Sequence, residues 1–475
     1  MQFIFNALND LDELPSEIIF IPVTEGEKVP DNRSVVQKTL ARENFSGKEG
    51  EVCAVPFEDN TVVFIGCGNK EDVFAGQKAG SNIASYIKRV KKECVSVCLP
   101  TLPPETVASV AYGIGLGLYS FDVYKTEKEA SNVLVHILSD NPTETEKAFT
   151  PFAALMDGIY EARDLVSEPA NMMYPEEFVE VAKQLDGVTV SVMDEKEMEK
   201  RGMNLILGVA SGASHKPRLL TVSYMNGGKK SPTIALVGKG VCFDSGGISL
   251  KPSKGMEDMK YDMAGAAAVL GTMSTLAKTG IKANVVGVMP LVENMPSATA
   301  QRPGDVIQSL SGKTVEVVNT DAEGRLILAD AVTYAQEEFN PDILIDLATL
   351  TGAMKVALGT EMAGLFSNCD ELAKQIEEAS QKTLNDRLWR MPLHKGYDKM
   401  LDSDIADISN MGSRPEAGSA VGAHFIGRFI EDGVRWAHLD IAGMAWTTHD
   451  KPCIPKGATG FGIELLTTFI KENSK

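Results

Sequence analysis

Short runs rich in valine, isoleucine and leucine recur along this chain, and stretches with helical spacing separate them. This alternation restricts the fold more than any other feature. Residues 18–22, 61–65, 95–99 and 132–138 read as strands, with helices at 73–90 and 105–119 between them. Further on, 188–192, 219–224, 233–237, 283–288 and 343–347 read as strands, and 262–278, 326–338 and 371–381 as helices. Strands that alternate with helices bury their apolar faces by forming a largely parallel sheet covered by helices. At 475 residues the chain exceeds what one core accommodates, so two α/β domains are expected. A helix over 148–166, stopped near Ser167-Glu168-Pro169 by the proline, marks the boundary. The expected division is an N-terminal α/β domain at 1–147, a linking helix at 148–168 and a larger domain at 169–475. The turn-rich stretch 290–305 reads as a long loop, of the kind that borders functional sites.

Acids outnumber bases 65 to 46, for a formal net charge of −19. Such a surface repels nucleic acid and anionic lipid, which argues against both as partners. The short basic cluster Lys88-Arg89-Val90-Lys91-Lys92 reads as a solvated helix face. No apolar run approaches the roughly 20 residues needed to span a bilayer. The opening Met1-Gln2-Phe3-Ile4-Phe5-Asn6 lacks a basic region and soon meets Asp10 and Asp12, so no signal peptide is expected. The seven cysteines are odd in number, scattered and mostly within apolar runs, as for reduced thiols in the cytoplasm. Cys94 and Cys98 share one face of a strand without further ligands nearby, which favours packing over zinc. His136 sits in an apolar strand and reads as a core histidine. The glycines of Gly113-Ile114-Gly115-Leu116-Gly117 fall inside a helix, miss the dinucleotide fingerprint and read as close packing.

Chemistry concentrates in Asn319-Thr320-Asp321-Ala322-Glu323-Gly324-Arg325-Leu326, which runs straight into an apolar helix. In a loop ahead of that helix, the i, i+2 spacing points Asp321 and Glu323 the same way. Two carboxylates at one point repel unless a cation lies between them. Gly324 allows a sharp turn, and Arg325 offers an anion a fork of fixed donors. A second cluster, 237–251, follows directly on the strand 233–237, at the carboxyl end where open α/β sheets hold ligands. It carries Lys239, Asp244 and Lys251. It lacks the Gly-Lys-Ser/Thr ending of a phosphate loop, and Ser245 has no evident histidine base. Asp262 opens a third helix, where an N-cap is the alternative to a ligand role. Four acids with three cations among them suit two divalent ions about 3.5–4 Å apart, a known device for hydrolysis. Oxygen ligation without histidine leaves zinc, manganese and magnesium open. A lysine amine ligates only when neutral, which a nearby dication permits. Another two-metal hydrolase, such as a phosphatase, is the rival; such sites recruit histidines, and none of the six here lies in the clusters.

Residues 237–251, 259–263, the octet 319–326 and Ala348-Thr349-Leu350-Thr351-Gly352-Ala353 together resemble, in order and spacing, the leucyl (cytosol) aminopeptidase family. The likeness is strong from about Arg163 to Lys475 and extends to architecture in the N-terminal half. It implies a cytoplasmic, metal-dependent aminopeptidase that releases N-terminal residues from peptides, leucine and other apolar ones preferred. It also implies that 169–475 is the catalytic metallopeptidase domain, built on a central mixed sheet flanked by helices. By position, Lys239, Asp244, Asp262 and Glu323 would hold one zinc or manganese ion. Asp244, Asp321 (through side chain and backbone carbonyl) and Glu323 would hold the second. The substrate amine would bind one metal, and a bridging water would be the nucleophile. Lys251 would polarise the scissile carbonyl, and Arg325 would hold a bicarbonate ion acting as general base. Thr349, Leu350 and Gly352 would line the substrate backbone, and Met259 the pocket for the first side chain. The resemblance further implies a homohexamer joined through the C-terminal domain. Some bacterial relatives are architectural DNA-binding proteins, an alternative that the charge opposes.

Overall fold

The computed structural model describes residues 1–9, 16–127 and 133–474. Asp10, Asp12, Asn132 and Lys475, which figured in the sequence expectations, lie outside the described residues. Two compact units make up the chain. The first comprises Met1–Met156 with Thr448–Lys456, and the second Asp157–Thr447 with Gly457–Lys475.

The first unit is built on a six-stranded sheet. Its order is Gln2–Ala7, Leu134–Ser139, Cys94–Cys98, Ile18–Val23, Thr61–Gly66 and Val52–Pro56. Every pair is parallel except the last, where Val52–Pro56 runs against Thr61–Gly66. Helices Ala75–Val90 and Pro104–Leu118 pack tightly on each other. The reason is visible at Gly113, where a Cβ would lie 2.1 Å from the Gln77 carbonyl oxygen; only a hydrogen fits there. His136 is buried, with Nδ1 3.0 Å from Asn6 Oδ1. Cys94 and Cys98 carry free thiols, and among the described residues no metal-ligating group gathers around them.

The second unit is built on a nine-stranded mixed sheet. Its central strands Arg435–Asp440, Ile343–Ala348, Thr233–Gly238 and Asn284–Asn294 are parallel. These strands read as near-continuous apolar runs because both faces are covered. Helix Gly324–Phe339 packs on the face carrying Ala235, Val237, Val286, Val288 and Leu344. Helix Ala264–Thr279 lies against the same strands and is buried along nearly its whole length. No helix among the described residues is long and apolar enough to cross a membrane.

Three expectations need correction. The helix predicted over 148–166 begins earlier, at Pro142, with Pro151 accommodated inside it, and ends at Ser167. The division between the two units falls within this helix. The stretch 290–305 is not one long loop, because the strand Asn284–Asn294 runs through Pro290 and a short strand, Asp305–Gln308, begins at its far end. Up to Val288 this strand pairs with Thr233–Gly238, and from Leu291 it pairs with Gly240–Asp244. Pro290 stands at the changeover, so its missing N–H falls where the ladder is already interrupted. Finally, Gly324 makes no sharp turn and has no positive φ. It is needed for proximity, since a Cβ there would sit 2.7 Å from the Lys239 side chain.

Candidate active site

The residues singled out in the sequence arrive at one open cavity of about 410 Å³. Lys239 lies at the joint between strands Thr233–Gly238 and Gly240–Asp244, its amide hydrogen-bonded to the Leu347 carbonyl at 3.0 Å. Asp244 ends the second of these strands. Its Oδ1 accepts from Asn294 Nδ2 at 2.8 Å and from the Gly246 amide at 2.9 Å. Asp262 belongs to the 3-10 helix Met256–Met263, and Met263 holds the N-cap position of the helix that follows. Asp262 is therefore not an N-cap; its Oδ1 accepts a 2.6 Å hydrogen bond from Thr349 Oγ1. Asp321 and Glu323 lie in the loop immediately before helix Gly324–Phe339. That loop is fastened by Asn410, whose Oδ1 accepts from the Val318 amide at 2.7 Å and whose Nδ2 donates to the Asn319 carbonyl at 2.7 Å.

Asp244, Asp262 and Glu323 are buried, and one carboxylate oxygen of each lies within 4.8 Å of the others. Two lysines answer this charge. Lys239 Nζ is 2.8 Å from both Asp262 Oδ2 and Glu323 Oε1, and donates to the Thr349 carbonyl at 3.0 Å. Lys251 Nζ is 2.8 Å from Asp244 Oδ2 and 2.5 Å from Asp321 Oδ1. Asp321 thus shares the cavity but stands outside the tight trio, more exposed and next to Lys251. Asp262 Oδ2, Asp321 Oδ1 and Glu323 Oε2 accept no aligned hydrogen bond, although the first two touch a lysine nitrogen. Buried carboxylate oxygens without hydrogen bonds call for a partner, and a hard or borderline divalent cation suits this donor set.

Burial alone would lower the Lys239 pKa, but Asp262, Glu323 and Asp244 outweigh it and hold the ammonium charged, above its ordinary range. The same burial, with Glu323 beside it, pushes Asp244 up against the pull of Lys251 and Lys239. Asp321 is raised likewise, first by burial and then by Asp244. Arg325 is buried in the first turn of its helix. Its Nη1 donates to the Asn410 carbonyl at 2.9 Å, while Nε has no hydrogen-bond partner. Burial pushes its pKa down to about 10, which leaves it cationic at neutral pH.

Met259, Thr349, Leu350 and Gly352 line the same cavity. The loop carrying the last three is held by buried Asp440, which accepts from Thr351 Oγ1 at 2.6 Å and from the Leu350 amide at 3.3 Å. No histidine lines the cavity. His438 is instead locked in the sheet, with Nδ1 2.6 Å from Asp346 Oδ1. Ser245 is buried and donates to the Asn294 carbonyl at 2.7 Å, as a structural hydroxyl does. Sequence reasoning missed Asn294, Asn410 and Asp440 as supports. Asn294 lay in the stretch misread as loop, and Asn410 and Asp440 lie far along the chain with no local signal.

A profile of the catalytic domain of the cytosol aminopeptidase family matches residues 160–467, and one of that family's N-terminal domain matches 23–128. The chain is 46% identical over 462 residues to a probable cytosol aminopeptidase of Rickettsia peacockii (strain Rustic), covering 93% of this chain and 92% of that one. It is 44% identical over 488 residues to one of Rickettsia bellii (strain RML369-C), covering 98% and 95% respectively. Among solved structures it is similar to a mutant tomato leucine aminopeptidase, with a TM-score of 0.88 and 31% identity over 99% of this chain and 96% of that one. It is also similar to the bottromycin maturation enzyme BotP in complex with Mn, with a TM-score of 0.87 and 31% identity over 97% and 100%.

Proposed function

Because the chain belongs to the cytosol aminopeptidase family, it is a metal-dependent aminopeptidase, and we propose that its peptide substrate enters the cavity amine first, towards Asp244, Asp262 and Glu323. The convergence of these three buried carboxylates, with an oxygen on each of Asp262 and Glu323 that accepts no hydrogen bond, is the observation that carries the reading. Lys239, Asp244, Asp262 and Glu323 would hold one zinc or manganese ion, and Asp244, Asp321 and Glu323 a second. When bound, such ions acidify a water and act as Lewis acids towards a carbonyl.

The remaining work falls to the chain's own side chains. Lys251, whose side chain is one-fifth exposed beside Asp244 and Asp321, would donate to the scissile carbonyl oxygen and to the oxyanion that replaces it. Arg325 would hold a bicarbonate ion, the general base of this reading, against its buried guanidinium. Thr349, Leu350 and Gly352 would align the peptide backbone, with Asp440 fixing their loop. Half-buried Met259 would offer the first side chain an apolar wall, so leucine and similar residues are preferred. An apolar pocket rejects a side chain shorter by one methylene by only about 1–3 kcal/mol. In net terms, water oxygen joins the carbonyl carbon, the C–N bond breaks, and the departing amine takes a proton.

Every residue assigned a role lies within 169–475 and none within 1–147, which supports a catalytic domain at 169–475 preceded by the helix Pro142–Ser167. We place the enzyme in the cytoplasm as a homohexamer joined through that domain, which sedimentation would test. The catalytic reading is tested by hydrolysis of leucine p-nitroanilide with Mn²⁺ or Zn²⁺, followed by exhaustive chelation. Activity that survives complete metal removal overturns it.

A further inference from the structure

The cavity is acidic at its floor and basic at its rim. Lys355, one turn beyond Gly352, and Arg414, in the loop ahead of helix Gly418–Gly427, both line it and are both exposed. Among the described residues neither has an ion-pair partner within 4.0 Å, although Glu416 lines the same cavity. In a chain with 65 acids and 46 bases, two unanswered cations facing one opening depart from the overall balance. A ligand with its amine at the metal-binding carboxylates and an anionic tail at the rim matches this arrangement.

We propose that Lys355 and Arg414 recognise the free C-terminal carboxylate of a short peptide, so that dipeptides and tripeptides are the preferred substrate class. The inference rests on the amine-first orientation proposed above. A dipeptide spans about 7 Å when extended. Lys355 stands about 4.5 Å along its helix from Gly352, and its flexible stem covers the remaining reach. Both residues touch the substrate away from the reacting atoms and set specificity. Ion pairs at an exposed rim are weak, so together they favour the free acid by about two- to tenfold. Salt screens such pairs, and the preference shrinks as ionic strength rises towards about 1 M.

The test compares kcat/KM of the Mn²⁺-loaded full-length protein for leucyl-alanine and leucyl-alanine amide, which differ only in the terminal charge. The expected ratio is about two- to tenfold in favour of the free acid, falling with added salt. Lys355→Glu and Arg414→Glu should each lower the ratio, and Lys355→Arg should retain it. The ratio cancels any general loss of activity in a variant, and the salt series on the parent protein needs no variant at all. Equal rates on both substrates, or a ratio unmoved by salt and by both charge reversals, overturn the proposal. If the parent cleaves neither substrate, the amine-first reading falls and this one with it.

Discussion

Replacing Lys239 with methionine removes a charge while keeping most of the side chain's length. This ammonium stands 2.8 Å from both Asp262 and Glu323. Lys239, Asp244, Asp262 and Glu323 are only 2%, 2%, 4% and 1% exposed, so water cannot take over the role. Removing one partner of a buried ion pair costs about 3–5 kcal/mol, because the other charge is left uncompensated. Two acids lose the same partner here, which points to the upper part of that range, about 4–5 kcal/mol. At about 2–4 °C per kcal/mol for a large domain, the metal-free variant should melt about 8–20 °C below the metal-free parent. Added Mn²⁺ supplies positive charge at the same carboxylates, so the two melting curves should draw together. An ion that binds only the folded state contributes about 2.7 kcal/mol at a hundredfold excess over its Kd. The assay is calorimetry after dialysis against chelator, repeated along a Mn²⁺ titration. A metal-free variant that melts within about 2 °C of the parent, less than about 1 kcal/mol on the same scale, would refute the charge-balance reasoning.

Arg325→Ala should lower kcat and alter the response of the rate to added bicarbonate; an unchanged response removes the general-base assignment. Asn294→Ala takes away the 2.8 Å donor to Asp244 and the 3.0 Å donor to the Thr320 carbonyl. Losing such a support to a proposed metal ligand should weaken metal affinity by about 10–100-fold, read from a Mn²⁺ activation curve. Asp346→Asn tests the buried pair with His438. Burial alone would lower the His438 pKa, but Asp346 outweighs it and raises it. A histidine raised above its unfolded value contributes stability that is fully present below about pH 6.5 and is lost as pH rises through the folded value. The deficit of the variant in denaturant unfolding should therefore be largest near pH 6 and shrink towards alkaline pH, and a deficit that grows with pH contradicts the pairing.

The chain's α/β class and the loop position of Asp321 and Glu323 were legible because each depends on neighbours in sequence. Strand 233–237 and the helix after Gly324 carry their periodicity locally. The support of the site was not legible, because it comes from elsewhere. Asn410 reaches back to Val318 and Asn319, some 92 and 91 positions away. Asp440 reaches Leu350 across 90. Pro290 misled because its cost depends on which strand lies alongside, and sequence does not display that. Asp262 offered the local alternative of a helix cap, but Met263 holds that position, and Thr349 and Lys239 reach the Asp262 carboxylate from other segments. The likeness of the motifs to one family supplied roles that spacing alone left open.

The changeover at Pro290 makes one strand a ruler for two others laid end to end, with Lys239 at their seam and Asp244 at the far mark. Side chains along a strand alternate between faces, so one residue inserted between Pro290 and Glu293 would swing Glu293 to where Asn294 now points. Asp244 would then meet a like charge in place of its amide donor. Insertions that an ordinary surface loop absorbs would here disturb the buried packing of the strand and the support of Asp244 together.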